Sequence, residues 1–131
     1  MISLTTTLRV RYAETDQMRM AYYSRYLEYF EVARTALLQV AGVSYKSLED
    51  DGYYLPVLEA HVFYLVSARY DDELAIETTF DYQGTPVIRI DYVAKRGDAR
   101  IATGYTTHAF VKADTGKPCK PPQRFRDVFN K

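Results

Sequence analysis

The sequence has no tryptophan, a single cysteine, no excess charge of either sign and no long apolar run. Each absence closes a class of function. Seventeen Lys and Arg against seventeen Asp and Glu give a formal charge of 0, whereas a nucleic-acid binder carries a basic excess; no nucleic-acid partner is expected. One cysteine, Cys119, excludes an internal disulfide framework and fits a reducing, cytoplasmic setting. No stretch approaches the roughly 20 apolar residues that span a bilayer. The opening residues MISLTTTLRVRY show no charged segment followed by an apolar core, so no signal peptide is expected either. Phosphate-binding glycine loops, zinc spacings and the nucleophile elbow are missing, and no metal or resident cofactor is expected.

What remains is the profile of one globular domain over residues 1–131, 47% apolar and 26% charged. It is rich in tyrosine, with thirteen. Such rings suit ligand pockets and subunit contacts because they bury area while the hydroxyl stays bonded.

Periodicity divides the chain. Leu4 to Tyr12 alternates as a strand, with Leu8, Val10 and Tyr12 on one face and Arg9 and Arg11 on the other. Ala13 to Tyr22 loses all period and is a loop. From about Ser24 the spacing predicts a helix of roughly 18 residues, with the stripe Tyr26, Phe30, Ala33, Leu37 and Val40, stopped at Gly42. Ser44 to Asp51 reads as a helical turn, and Tyr54 to Val66 as a strand with an irregular start at Pro56. Leu74 to Tyr82, Val87 to Lys95 and Ala99 to Lys112 alternate as further strands, followed by a proline-bearing tail. Strands joined by short connections make an antiparallel sheet, and only one helix is long enough to cover it.

Few groups offer chemistry. His61 and His108 lie inside strands and read as hydrogen-bonded strand residues; Asp71-Asp72-Glu73 reads as a solvated turn, and Cys119 as incidental. Glu28, Glu31 and Arg34 read as charges on the helix surface. Asp16 stands apart. Met18, Met20, Ala21, Tyr22 and Tyr23 follow it, and an apolar surrounding raises the reactivity of a carboxylate. The helix N-terminus beyond offers N–H groups to a developing oxyanion. An acid and an oxyanion site suffice for acyl transfer to water.

The run RYAETDQMRMAYYSRYLEYFEVART resembles the signature of the 4-hydroxybenzoyl-CoA thioesterase family, and ARYDDEL, GYTTHAFV and DTGKPCKPP extend the likeness in order over nearly the whole chain. The resemblance implies an α+β hotdog fold, an antiparallel sheet around one long helix. It further implies an acyl-CoA thioesterase acting on an aromatic or short- to medium-chain acyl group, as a homodimer or a homotetramer built from two dimers. Coenzyme A then enters as part of the substrate, not as a cofactor. By position, Asp16 matches the catalytic carboxylate and Tyr23 the residue whose backbone N–H polarises the thioester carbonyl. Tyr22, Tyr26 and Glu31 match the acyl pocket, and the strand around Glu59 would close it from a partner subunit. Arg89, Lys95 and Arg96, with Arg100, are candidates for the CoA phosphates. Two positions depart from the pattern: Arg19 stands where many members carry Gly, and Tyr23 where many carry His. A hotdog dehydratase or hydratase would need a His–acid pair, and a non-catalytic acyl-CoA-binding module would have no need of Asp16.

Overall fold

The computed structural model describes residues 1–129; Asn130 and Lys131, the end of the expected domain, lie outside the described residues. In chain order the elements are β1 (Ile2–Arg9), α1 (Arg25–Ala41), α2 (Tyr45–Asp50), β2 (Tyr53–Tyr54), β3 (Val57–Tyr64), β4 (Glu73–Phe80), β5 (Val87–Arg96), β6 (Ala99–Ala109), β7 (Val111–Lys112) and α3 (Gln123–Phe129). Five strands form one antiparallel sheet in the order β1-β4-β5-β6-β3. β2 and β7 form a separate two-stranded ribbon.

Period-2 patterning sets the two faces of the sheet. Leu74, Ile76 and Phe80 of β4 and Ile88, Ile90, Tyr92 and Ala94 of β5 are buried, while Arg89 and Asp91 between them are exposed. α1 packs on the buried side, where the Phe30 ring stacks on Tyr92 at 4.4 Å. Each such side chain removed from water contributes about 1.5–3 kcal/mol. The contact also explains Gly104. A Cβ there would meet the His61 carbonyl oxygen and would stand 2.7 Å from the Phe30 ring, so only glycine lets β6 pass under the helix. One long helix on an antiparallel sheet is the hotdog arrangement that the resemblance implies.

The structure corrects several boundaries. β1 ends at Arg9, and Tyr12–Glu14 forms a 3₁₀ turn. Glu14 accepts the Arg11 N–H at 2.9 Å and so breaks the strand, leaving Tyr12 exposed. The expected Tyr54–Val66 strand is interrupted at Leu55–Pro56, because proline has no N–H for a ladder. The last strand stops at Phe110, whose carbonyl instead accepts the N–H of Cys119. The tail is not loose. α3 seats Phe125 against Phe80, Phe110 and Phe129, and Phe125 is fully buried; seven residues are too short for a periodic signal.

The helix stripe shifts as well. Val40 is 70% exposed, whereas Tyr29 and Leu38 are buried. Arg34, expected on the surface, is buried too. Its guanidinium donates to the hydroxyls of Tyr45 at 2.7 Å and Tyr92 at 3.0 Å. Burial opposes its charge, but the two hydroxyls outweigh that and raise its pKa. The Tyr92 hydroxyl continues to Thr106 at 2.6 Å and Thr106 to His108 at 2.8 Å. A charge whose donors are used in this way is tolerable inside a core.

Candidate active site

Residues 15–21 form a tight loop closed by a bridge between Thr15 and Ala21. The Asp16 N–H donates to the Met20 carbonyl at 2.9 Å, and the Arg19 N–H returns to the Asp16 carbonyl at 3.0 Å. The Asp16 side chain locks the turn: its Oδ1 accepts the N–H groups of Met18 at 2.8 Å and Met20 at 3.2 Å. Oδ2 has no hydrogen-bond partner among the described residues. One oxygen of the carboxylate is therefore structural and the other is available for chemistry.

The loop is fastened on two sides. Ala21 donates to the Ala68 carbonyl at 2.8 Å, and Met20 bridges Arg69. Tyr22 donates to the Glu14 carbonyl at 2.9 Å. Glu14 also ties this segment to α1, since Tyr29 donates its hydroxyl to the carboxylate at 3.1 Å. Burial pushes the Glu14 carboxyl up, but the hydrogen bonds from Arg11 and Tyr29 and the charge of Arg11 hold it below the usual range. Burial and the facing carboxylate push the Tyr29 hydroxyl well up. Sequence reasoning passed over this pair; a Glu two residues before the candidate acid was the available signal.

Arg19 adopts φ +61°. For an L-residue this left-handed backbone costs about 1–2 kcal/mol, which accounts for glycine as the unstrained choice at that position.

α1 starts at Arg25, and Tyr23 lies just before it. The Arg25 N–H donates to the Tyr22 carbonyl and the Tyr26 N–H to that of Tyr23. The N–H groups of Tyr23 and Ser24 meet no acceptor among the described residues, as expected of the first turn of a helix. The Tyr23 carbonyl is gripped by the Tyr64 hydroxyl at 2.8 Å. The Tyr22 and Tyr23 rings stack at 4.2 Å with their hydroxyls joined at 2.8 Å, and the bond to Tyr23 raises the Tyr22 hydroxyl. The buried Tyr26 hydroxyl accepts the Ala68 N–H at 3.1 Å.

Asp16, Tyr22, Tyr23 and Tyr26 thus share one cleft of about 470 Å³ with Met18, Met20, Tyr64 and Leu65–Ser67, a size that suits a small ligand. The cleft is not enclosed by this chain. Met18 is 63% and Tyr23 59% exposed, so the apolar shell expected around Asp16 is open on one side. Glu31 lies outside the cleft lining, exposed on α1. Glu59 lies on edge strand β3, beside the Thr107 hydroxyl at 3.3 Å. Arg89 and Lys95 are on β5, paired with Asp91 at 3.0 Å and Glu77 at 2.7 Å. Arg96 reaches the cleft's rim, donating to the Ser67 carbonyl at 3.3 Å while paired with Asp72 at 2.8 Å. No helix among the described residues is long and apolar enough to cross a membrane.

The family model described as "Thioesterase-like superfamily" matches residues 10–129. The acyl-CoA thioesterase YbgC of Haemophilus influenzae is 27% identical over 94% of this chain and 91% of its own length. Among solved structures, a DHNA-CoA thioesterase from Staphylococcus aureus superposes with a TM-score of 0.93 at 28% identity, covering 99% of this chain and 90% of that one. A hypothetical protein from Thermus thermophilus superposes with a TM-score of 0.90 at 28% identity, covering 96% of each.

Proposed function

Because this chain belongs to the thioesterase-like superfamily, we propose that it hydrolyses an acyl-CoA to the free acid and coenzyme A, using Asp16 and the N–H of Tyr23. The observation that carries this reading is the pairing of an unused carboxylate oxygen with an unused helix-terminal N–H in one apolar cleft. The Tyr23 N–H takes the thioester oxygen and, with the helix dipole, stabilises the charge that develops on it. Asp16 Oδ2 either attacks the carbonyl carbon, expelling CoA thiolate and leaving an anhydride for water to open, or removes the proton of an attacking water. Loss of the N–H contact alone is worth ~10²–10³ in rate. Tyr22, Tyr23, Tyr26 and Tyr64 favour a small aromatic acyl group, which their faces and edges accommodate.

A second copy of the chain completes the site in this reading. β3 is an edge strand with one side of its ladder unpaired. It exposes Val57, Leu58, Phe63 and its cleft-lining end, Tyr64, and the cleft's Leu65 and Val66 continue it. Pairing β3 with the partner's β3 would bring Glu59 and its neighbours over the open side of the cleft. A homodimer is the minimal unit and a pair of dimers its extension. The lone cysteine fits the cytoplasm.

The deciding experiment is thiol release from a panel of aromatic and aliphatic acyl-CoAs. The reading expects one class with kcat/KM well above the rest; failure to cleave any member would sink it. Single-turnover hydrolysis in heavy-oxygen water separates the two roles of Asp16, since only nucleophilic attack puts label in its carboxylate.

A further inference from the structure

We propose that Arg19 and Arg69 hold the phosphates of the coenzyme A half of the substrate at the mouth of the cleft, an assignment that rests on the acyl-CoA reading above. Such a substrate is neutral at its thioester end and strongly anionic at the other, so a cleft built for it needs cations beside its opening, not within it.

Among the described residues, the cations of the loop and of the turn beside it that have no ion pair are these two; Arg100, exposed on β6 ahead of the Ile101 carbonyl that accepts from Leu65 and Val66, also has none. Arg9 pairs with Asp71 at 3.6 Å and Glu73 at 3.3 Å, Arg11 with Glu14 at 3.2 Å, and Arg96 with Asp72 at 2.8 Å. Every neighbouring carboxylate except Asp16 is thus already matched. Asp72 also takes the Arg69 backbone N–H at 2.8 Å and feels that residue's charge. The guanidinium groups of Arg19 and Arg69 make no hydrogen bond or ion pair among the described residues, and both residues are exposed.

They are also neighbours. Met20 bridges Arg69, and the Tyr70 N–H donates to the Arg19 carbonyl at 2.9 Å, so the two arginines stand on adjacent segments. Cleft-lining residues lie beside each: Met18 and Met20 flank Arg19, and Ser67 is two residues from Arg69. Arg19 does this from a left-handed backbone, φ +61°, where glycine would be relaxed. An arginine in this strained backbone, next to the proposed carboxylate, points to a use for its side chain. Arg89 and Lys95, by contrast, already satisfy carboxylates on β5 and β4.

The test compares Arg19→Gly, Arg69→Gln and the double variant with wild type and with Lys120→Ala as a remote charge control. Calorimetry measures binding of coenzyme A itself, and kinetics are run on the acyl group selected by the panel, as its CoA thioester and as its phosphate-free N-acetylcysteamine thioester. Each arginine change should raise the CoA Kd and the acyl-CoA KM about tenfold, with kcat nearly kept and the short thioester unaffected. Unchanged CoA binding, or equal losses on both thioesters, overturns the assignment and leaves the hydrolase reading standing. Arginine-dependent CoA binding without hydrolysis of any thioester does the reverse.

Discussion

The Tyr64 hydroxyl donates to the carbonyl oxygen of Tyr23 across 2.8 Å, so the end of edge strand β3 grips the residue that carries the proposed amide donor. Tyr64 also meets the Tyr26 ring edge-on at 5.1 Å, fixing the cleft wall to α1. Tyr64→Phe keeps the ring and removes the grip. It should cost about 1 kcal/mol of stability and lower kcat by several-fold to tenfold, because the donor loses its preset direction. Thermal unfolding and steady-state kinetics on one preparation check both numbers.

Asp16→Asn keeps an oxygen able to accept the Met18 and Met20 N–H groups, so the loop and the melting temperature should survive. Turnover should fall by ~10²–10⁴, the range removed with a general base or nucleophile. A well-folded variant with near-normal hydrolysis would remove Asp16 from the mechanism.

His108 is fully buried. Burial, reinforced by the charge of Arg34, lowers its pKa from 6.5 to about 4 against the opposing carbonyls of Leu55 and Pro56. The folded state therefore holds the proton more weakly than the unfolded chain. Its neutral form stabilises fully above pH 6.5, and stability is lost as pH falls from 6.5 toward 4. The loss should approach 1 kcal/mol per pH unit, about 3 kcal/mol across the window. Denaturant midpoints between pH 7 and 5 measure the slope above the range where carboxylates titrate, and a flat profile there would contradict it.

Gly104→Ala places a methyl against a backbone carbonyl of β3 and the Phe30 ring. The carbonyl belongs to a paired strand and cannot yield, so a loss of about 1–3 kcal/mol is expected. Phe30→Leu in the same background should recover part of it, and a chemical-denaturation cycle over the four proteins reads the coupling.

Arg19→Gly should leave stability equal or raise it by up to about 1 kcal/mol, strain relief being offset by the freer unfolded chain. Arg19→Ala retains the φ penalty and should gain nothing. A melting temperature for Arg19→Gly below that of Arg19→Ala would show that φ +61° carries no strain, because glycine's freer unfolded chain would then act unopposed.

Local order was the legible part of this protein. Alternation at Leu74–Phe80 and Val87–Lys95 marked buried and exposed faces correctly, because a strand's side chains take strict turns. Helical spacing located α1 within a residue or two. The misses share a cause: Arg34, Phe125 and the 3₁₀ turn at Tyr12–Glu14 depend on partners far along the chain or on one side-chain bond, and neither leaves a periodic trace. The same holds at the candidate site, where the position of Asp16 ahead of the helix was readable and the roles of Asp16 and Tyr23 came from the family resemblance, while their sharing a cleft with Tyr64–Ser67 could not be read.

The amino-acid pattern by itself determined the α+β class, the single long helix and the placement of an acid just ahead of it, since these follow from periodicity and neighbours a few residues apart. Only the tertiary structure decided which oxygen of Asp16 is spent on the loop, which charges are matched, and that the cleft stands open along edge strand β3. Those are outcomes of long-range pairing, in which residues some 40 to 60 positions apart compete for the same hydrogen bonds and charges, and that competition is settled only when the sheet closes on the helix.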